Sequence, residues 1–167
     1  MVPIAKTKRE IVRIGGRLKE IVTLQDDKGK ILHRIMNPLM LEFYARDVMQ
    51  VIIGASILAV PVAFTEETWN LGQTLPLRNI LLIMFVSVSF ISFFVYYNYY
   101  KDNLGKHWIE FVKRVCSTYI FSFLVVALIL TLIKRAPWQT DTLLVFKRTV
   151  LVSLPATMSA AISDMIK

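Results

Sequence analysis

The chain has 167 residues, of which 55% are hydrophobic and 19% charged, and its formal net charge is +8. Soluble domains usually carry more charge and a smaller apolar fraction, so the composition favours one small membrane domain. A single cysteine, Cys116, excludes a disulfide framework, and His33 and His107 lie too far apart in sequence for a His/Cys metal centre. We expect no metal and no cofactor. Basic loops on an anionic lipid leaflet explain the positive charge, so no nucleic-acid partner is expected.

Residues 1–37 form a basic segment that we assign to the cytoplasm. Apolar residues at helical spacing predict a short basic helix there; they are Ile11, Ile14, Leu18, Ile21 and Val22. Two apolar runs flank the turn-forming cluster at 26–29, which predicts a β-hairpin over about residues 18–36. Asn37 and Pro38 then resemble a helix N-cap and a first-turn proline, which predicts an amphipathic helix leading into the membrane.

Residues 38–167 contain four stretches that approach the roughly 20 mainly apolar residues needed to cross a bilayer. The predicted spans are at about residues 47–65, 79–100, 114–133 and 143–166. The fourth is irregular, because Lys147 and Arg148 follow its first residues and Asp164 precedes its end. Basic side chains near a helix end can extend to the interface, so this segment can still span. A re-entrant or interfacial segment is the alternative.

The distribution of basic residues predicts the orientation. With the N-terminus inside, fifteen Lys and Arg residues lie on the cytoplasmic side and five on the outer side. Because basic loops stay in the cytoplasm, this asymmetry favours both termini inside. We therefore predict an all-α, multi-pass integral protein of the plasma membrane with four transmembrane helices and a small basic cytoplasmic segment.

Small residues at four-residue spacing mark one face of the first span and one of the fourth. They are Ala55, Ala59 and Ala63 in the first span and Ala156 and Ala160 in the fourth. Such faces let helices approach closely in lipid, and plain helix–helix contact is their simplest interpretation. The same two spans contain Pro61 and Pro155, and each proline frees a backbone carbonyl that can kink the helix or ligate an ion.

Charged residues at the span ends are the candidate functional groups, because an unpaired charge at membrane depth costs several kcal/mol. Glu66 and Glu67 close the first span on the outer side, where Lys147 and Arg148 open the fourth. Opposite charges at matching depth predict an outer ion-pair layer that joins the two helices. This layer is interpreted either as a structural clamp or as the mouth of an ion pathway.

A second set of charges lies at the inner side. Asp164 ends the small-residue face of the fourth span, and Arg46, Asp47 and Lys167 are expected at similar depth. A carboxylate held between helices at this level can bind a cation or relay a proton. An ordinary salt bridge is the alternative.

Several short motifs resemble a family of prokaryotic integral membrane proteins known as a domain of unknown function. They are Arg46-Asp47, the run at 61–69, Asn98-Tyr99-Tyr100, Lys147-Arg148-Thr149, the run at 154–157, and Asp164. The resemblance covers about residue 40 to the end of the chain. It implies a multi-helix membrane protein and supplies no activity.

Catalytic signatures such as HExxH, GxSxG or a P-loop are missing from the sequence, so an enzyme is not expected. The leading hypothesis is a small homo-oligomeric channel or transporter-like protein for inorganic ions, since four helices leave little room for a pathway within one protomer. The alternative is a non-conducting scaffold or accessory subunit, whose basic N-terminal segment binds lipid headgroups or a cytosolic partner.

Overall fold

The computed structural model describes residues 6–14, 17–25, 31–38, 43–101 and 104–166. The chain divides into two compact units, Met1–Glu42 and Phe43–Lys167. The first contains the strands and the second the helices, and the division lies a few residues after the predicted boundary at residue 37.

The N-terminal unit is a three-stranded antiparallel sheet. Its strands are β1 (Lys6–Ile14), β2 (Arg17–Gln25) and β3 (Ile31–Pro38), in the order β1-β2-β3. The predicted hairpin is confirmed by the pairing of β2 with β3. The predicted short helix is wrong, because its first residues form β1. The isoleucines and valine there are β-branched and favour a strand, and pairing with β2 satisfies their backbone groups.

The second unit contains five α-helices. They are α1 (Ala45–Ala63), α2 (Glu66–Thr74), α3 (Leu77–Val95), α4 (Trp108–Leu132) and α5 (Thr142–Met165). A π-helical turn at Tyr96–Tyr100 extends α3, and a short 3-10 turn at Leu104–Lys106 precedes α4. The predicted amphipathic helix that leads from Asn37 and Pro38 into the first span is not formed at its start, since these two residues end β3 and α1 begins only after its N-cap Tyr44; residues 39–42 lie outside the described residues.

Four of these helices are long and apolar enough to cross a membrane, which confirms the four predicted spans. They run over Ala45–Ala63, Leu77–Tyr100, Trp108–Leu132 and Thr142–Met165. The fourth is a continuous helix of 24 residues that begins at the Asp141 cap, whose carboxylate accepts the N–H of Leu144. Since α5 has full spanning length, a short re-entrant segment is not needed to explain it. The short helix α2, between the first two spans, was not predicted.

Helix α5 occupies the centre of the helical unit. Half of its spanning window is buried, against 22–28% for the other three spans, and it packs against all four other helices. The core joins α1, α4 and α5 through Val51, Ala55, Ala59, Ala63, Val126, Leu130, Val152, Ala156 and Ala160. Both predicted alanine faces are therefore buried packing surfaces.

Close approach of α1 to α5 depends on Gly54. A Cβ at this position would overlap Ser163 Cβ and would lie 3.0 Å from the Ala160 Cα and from the Ser159 carbonyl oxygen. Two of these three neighbours are backbone atoms, which cannot move aside cheaply. Glycine at this point therefore brings the start of α1 and the end of α5 together, at the level where the charged residues lie.

Candidate functional site

A buried arginine joins three helices at the end of the bundle where α1 begins and α5 ends. Arg114 of α4 is fully buried, and its Nη2 donates to Oδ2 of Asp47 over 3.2 Å. Its Nη1 lies 3.4 Å from Oδ2 of Asp164. Both carboxylates are also buried, with 2–3% of their side chains exposed. We call Asp47, Arg114 and Asp164 the arginine cluster.

Neighbouring groups fix the orientation of the cluster. The backbone N–H of Tyr44 donates to Oδ2 of Asp47 over 3.0 Å, so this carboxylate also accepts a hydrogen bond from the N-cap residue of α1. The guanidinium lies over the ring of Tyr99, 4.2 Å from its centre, and within 5.7 Å of the Phe43 ring centre. Such distances allow cation–π attraction. Tyr99 also donates its hydroxyl to the backbone carbonyl of Asp164, which ties α3 to the end of α5.

The role of Arg114 was not predicted, because this residue follows Lys113 and was counted only among the fifteen basic residues of the cytoplasmic side. The structure separates these neighbours, because Lys113 is 61% exposed and pairs with Glu110, whereas Arg114 points inward. A signal was present in the spacing. Arg114 shares a helical face with Phe111, Thr118 and Ser122, at intervals of three and four residues, and all of these are buried.

The composition of the arginine cluster defines what it can do chemically. Its described charged groups are two carboxylates and one guanidinium, held away from water. A buried carboxylate is stabilised by a close cation or by a proton, and losing either costs several kcal/mol. The arrangement is therefore suited to exchanging a proton or a small cation, as well as to holding α1, α4 and α5 together.

The opposite end of the bundle holds a second arginine in a different way. Arg148 of α5 is 6% exposed, and its Nη1 donates to the Arg135 carbonyl over 2.7 Å. Its Nε and Nη2 each lie 3.4 Å from the Trp69 carbonyl. Gly72 makes room for it, since a Cβ there would lie 2.6 Å from Arg148 Cγ. The partners of Arg148 are therefore backbone oxygens of α2 and of the loop after α4.

The predicted outer ion-pair layer is not formed among the described residues. Glu66 and Glu67 are exposed in the first turn of α2, where negative charge interacts favourably with the helix dipole. Lys147 donates its ammonium to the Leu75 carbonyl over 2.8 Å. The prediction placed these glutamates at the end of the first span, whereas they begin a separate helix, α2.

The other predicted residues are placed as follows. Of the inner set, Asp47 and Asp164 are brought together by their common partner, while Arg46 is exposed and Lys167 lies outside the described residues. Pro61 lies two residues before the end of α1 and is exposed. Pro155 is half-buried, and α5 continues through it. Both prolines lie at least two helical turns from the residues of the arginine cluster on the same helices, which is too far for contact.

Similarity to a known family covers both units. A family model described as "Putative integral membrane protein (DUF2391)" matches residues 18–166, which includes β2 from its second residue, β3 and all five helices. The chain belongs to this family. The match begins well before the predicted limit at about residue 40, so the family includes most of the sheet. No curated protein and no solved structure is significantly similar to the chain.

In this member of the DUF2391 family, the site is built without clustered metal ligands. Within the described ranges, no group of three or more His, Cys, Asp or Glu side chains could hold a metal ion. The two carboxylates of the arginine cluster instead share an arginine. As an integral membrane protein with several spans, the chain presents this cluster at one end of a lipid-embedded bundle.

Proposed function

We propose that the protein is a small homo-oligomeric transport protein of the plasma membrane, that it moves protons or another small inorganic cation, and that it is not an enzyme. The observation that carries this proposal is the arginine cluster. Two carboxylates with 2–3% exposure share one guanidinium inside a helix bundle. Intramembrane ionisable groups of this kind are costly, and they commonly mark ion pathways and proton relays.

Polar side chains between the two ends of the bundle support a pathway. Thr149, Ser153 and Thr157 follow one another at four-residue spacing on α5, and all three are fully buried. They lie between Arg148 at one end and Asp164 at the other. A buried polar face along the central helix gives hydrogen-bonding groups at successive depths, which an ion or proton crossing the bilayer requires.

The proposed orientation and assembly follow from charge and packing. Both termini are placed in the cytoplasm because of the positive-inside asymmetry, which puts the arginine cluster on the cytoplasmic side. Alanines fill the contact between α1 and α5 at close range, so the described interior contains little space for a wide aqueous channel. An oligomer supplies the further surfaces along which such a path can open.

A non-conducting scaffold is the second candidate, and the N-terminal sheet favours it. Strand β3 exposes Ile31, Leu32, Ile35 and Met36, each between 42% and 56%. Exposed apolar side chains on an edge strand are typical of surfaces that bind another chain or a membrane. This candidate requires no ion flux.

Flux through reconstituted protein tests the proposal. The purified full chain is placed in liposomes that contain either a pH-sensitive or a sodium-sensitive dye, and a potassium gradient with valinomycin sets the membrane voltage. We expect proton or sodium flux above that of empty liposomes. Asp164→Asn should reduce it by about tenfold or more, because it removes one charge from a buried pair.

The matched control is Glu67→Gln, which makes the same chemical change at an exposed carboxylate. This variant should keep the flux of the unmodified chain. Equal loss in both variants would show that the arginine cluster has no special role. Absence of flux at every pH and voltage would overturn transport and leave the scaffold.

A further inference from the structure

Two buried hydroxyls of α4 lie beside the arginine cluster without a protein partner. The side-chain oxygens of Thr118 and Ser122 form no hydrogen bond in the described part of the chain, although these residues are at most 1% exposed. A hydroxyl buried in this way loses its hydrogen bonds to water and gains none in return. Such groups are rare in native proteins and usually indicate a bound water or ion.

Seven other serine and threonine hydroxyls in the spans behave differently. Each donates to a backbone carbonyl three or four residues earlier in the same helix; they belong to Ser56, Ser87, Ser92, Thr131, Thr149, Ser153 and Thr157. This local bond is the usual way to satisfy serine and threonine in a membrane helix. Thr118 and Ser122 do not use it, so their hydroxyls remain available for a ligand.

The two hydroxyls continue the line that begins at Arg114. They follow it by four and eight residues on the same buried face, which places them about 6 and 12 Å deeper along the helix axis. They are therefore one and two turns from the arginine cluster, within the distance that one or two hydrogen-bonded waters can bridge.

Small apolar side chains face this line from the neighbouring helices. Because Asp47, Arg114 and Asp164 lie at one level, the same step along α1 and α5 reaches Val51 and Ala160. One turn further it reaches Ala55 and Ala156. All four are buried and none carries a polar side chain. These positions of α1 and α5 therefore supply no side chain that competes for hydrogen bonds with the two hydroxyls.

We propose that Thr118 and Ser122 bind water molecules in single file, and that these waters pass protons between the arginine cluster and the middle of the bundle. The inference rests on the proposed transport function and narrows its cargo to protons. In each step an oxygen receives a proton from one neighbour and releases its own proton to the next, so one O–H bond forms as another breaks. A carboxylate of the cluster is the acceptor or donor at the end of the file.

Proton flux into dye-loaded liposomes tests this with the double variant Thr118→Val/Ser122→Ala. We expect about a tenfold loss of proton flux, since both water ligands are removed with little change in side-chain volume. Thr118→Ser retains a hydroxyl and should keep most of the flux. The matched control is Ser87→Ala/Ser92→Ala, which removes one buried and one half-buried hydroxyl that bond to their own helix, and its proton flux should stay within about twofold of that of the unmodified chain.

Thermal unfolding in detergent is the second measurement, and it does not depend on transport. If the hydroxyls hold water, the double variant should unfold at a lower temperature than the unmodified chain. If they are simply unsatisfied, their removal should raise the unfolding temperature, and that result would overturn the inference, as would unchanged proton flux. Absence of proton flux in the unmodified chain would refute the transport proposal, while a lowered unfolding temperature would still support bound water.

Discussion

The two ends of the helix bundle each bury an arginine, and they do so with different partners. Arg114 is held by the side chains of Asp47 and Asp164, so its charge is met by opposite charge. Arg148 is held by the carbonyls of Trp69 and Arg135, so its hydrogen-bond partners among the described residues are backbone dipoles. The guanidinium can serve both roles because it has five donors in one plane.

The difference separates a site that can change its charge from one that cannot. Carbonyls do not take up protons near neutral pH, so Arg148 with its carbonyl partners is a fixed structural element that closes α2 over α5. Carboxylates can bind protons or cations, so the arginine cluster can exist in more than one state. This contrast is the reason for placing the function at the end of the bundle where α1 begins and α5 ends.

Removal of Arg114 should have the largest effect on stability. Arg114→Gln leaves two buried carboxylates without their shared cation, and we expect the free energy of unfolding to fall by about 3–5 kcal/mol. Unfolding of the purified protein in a dodecyl sulfate titration, followed by circular dichroism, measures this change.

Two variants check the cause of that loss. Lys113→Gln alters the exposed neighbour on the same helix and should change stability little. Adding Asp47→Asn and Asp164→Asn to Arg114→Gln should restore part of the loss, because no buried charge then remains. If the exposed lysine mattered as much as the buried arginine, the cluster would not be the stabilising element.

The glycines beside the two arginine sites should differ in their tolerance of a methyl group. Gly54→Ala places a Cβ against backbone atoms of α5, so we expect a loss of about 1–3 kcal/mol from overpacking. Gly72→Ala places a Cβ 2.6 Å from Cγ of Arg148, so this side chain must shift although its guanidinium is held by the Trp69 and Arg135 carbonyls. We expect a smaller loss than for Gly54→Ala, because the nearest backbone atom is 3.7 Å away and the roughly 1 kcal/mol that alanine contributes over glycine inside a helix offsets part of the strain. Equal unfolding free energies for the two variants would contradict this reading of the contacts.

Arg148→Met should cost less than loss of Arg114. It leaves the Trp69 and Arg135 carbonyls without their donor, and we expect about 1 kcal/mol, because no uncompensated charge remains. The same denaturant titration measures it, with Arg78→Met as the control at an exposed arginine. A loss as large as that of Arg114→Gln would show that carbonyls and carboxylates are equivalent partners here.

The spans could be predicted from the sequence because a helix needs about 20 apolar residues to cross the lipid bilayer. Their packing faces could be predicted because small residues allow two helices to approach closely. The central position of α5 was foreshadowed by its alanines, hydroxyls and terminal aspartate. Strand β1 was not predicted, because an isoleucine spacing that fits a helix also occurs in a strand when the pairing partner supplies the hydrogen bonds. The pairing of β1 with another strand is a tertiary contact, which a local sequence pattern does not show.

Two of the three residues of the arginine cluster were predicted as candidates, and the central arginine was not. Asp47 and Asp164 were recognised as charges at the ends of predicted spans, whereas Arg114 was counted only among the fifteen basic residues of the cytoplasmic side. Arg114 differs from Lys113 in its position around α4, because it lies on the same helical face as the buried residues Thr118 and Ser122. For Arg148 the charge was noticed but the partner was not, since backbone carbonyls carry no signature in a sequence.

The coupling energy between charge reversals at Glu67 and Arg148 should be the smallest effect, and it tests the ion pair that sequence charges alone suggested. Glu67→Lys changes an exposed residue and loses only a favourable interaction with the α2 dipole, so we expect less than about 0.5 kcal/mol. Arg148→Glu should be destabilising by itself, because a carboxylate cannot donate to carbonyls. The double variant should show no recovery, and the coupling energy between the two positions should be near zero. A coupling energy of about 1 kcal/mol or more would restore the predicted clamp between α2 and α5. It would then give the two ends of the bundle the same carboxylate chemistry, and the reason for preferring one end as the functional site would be lost.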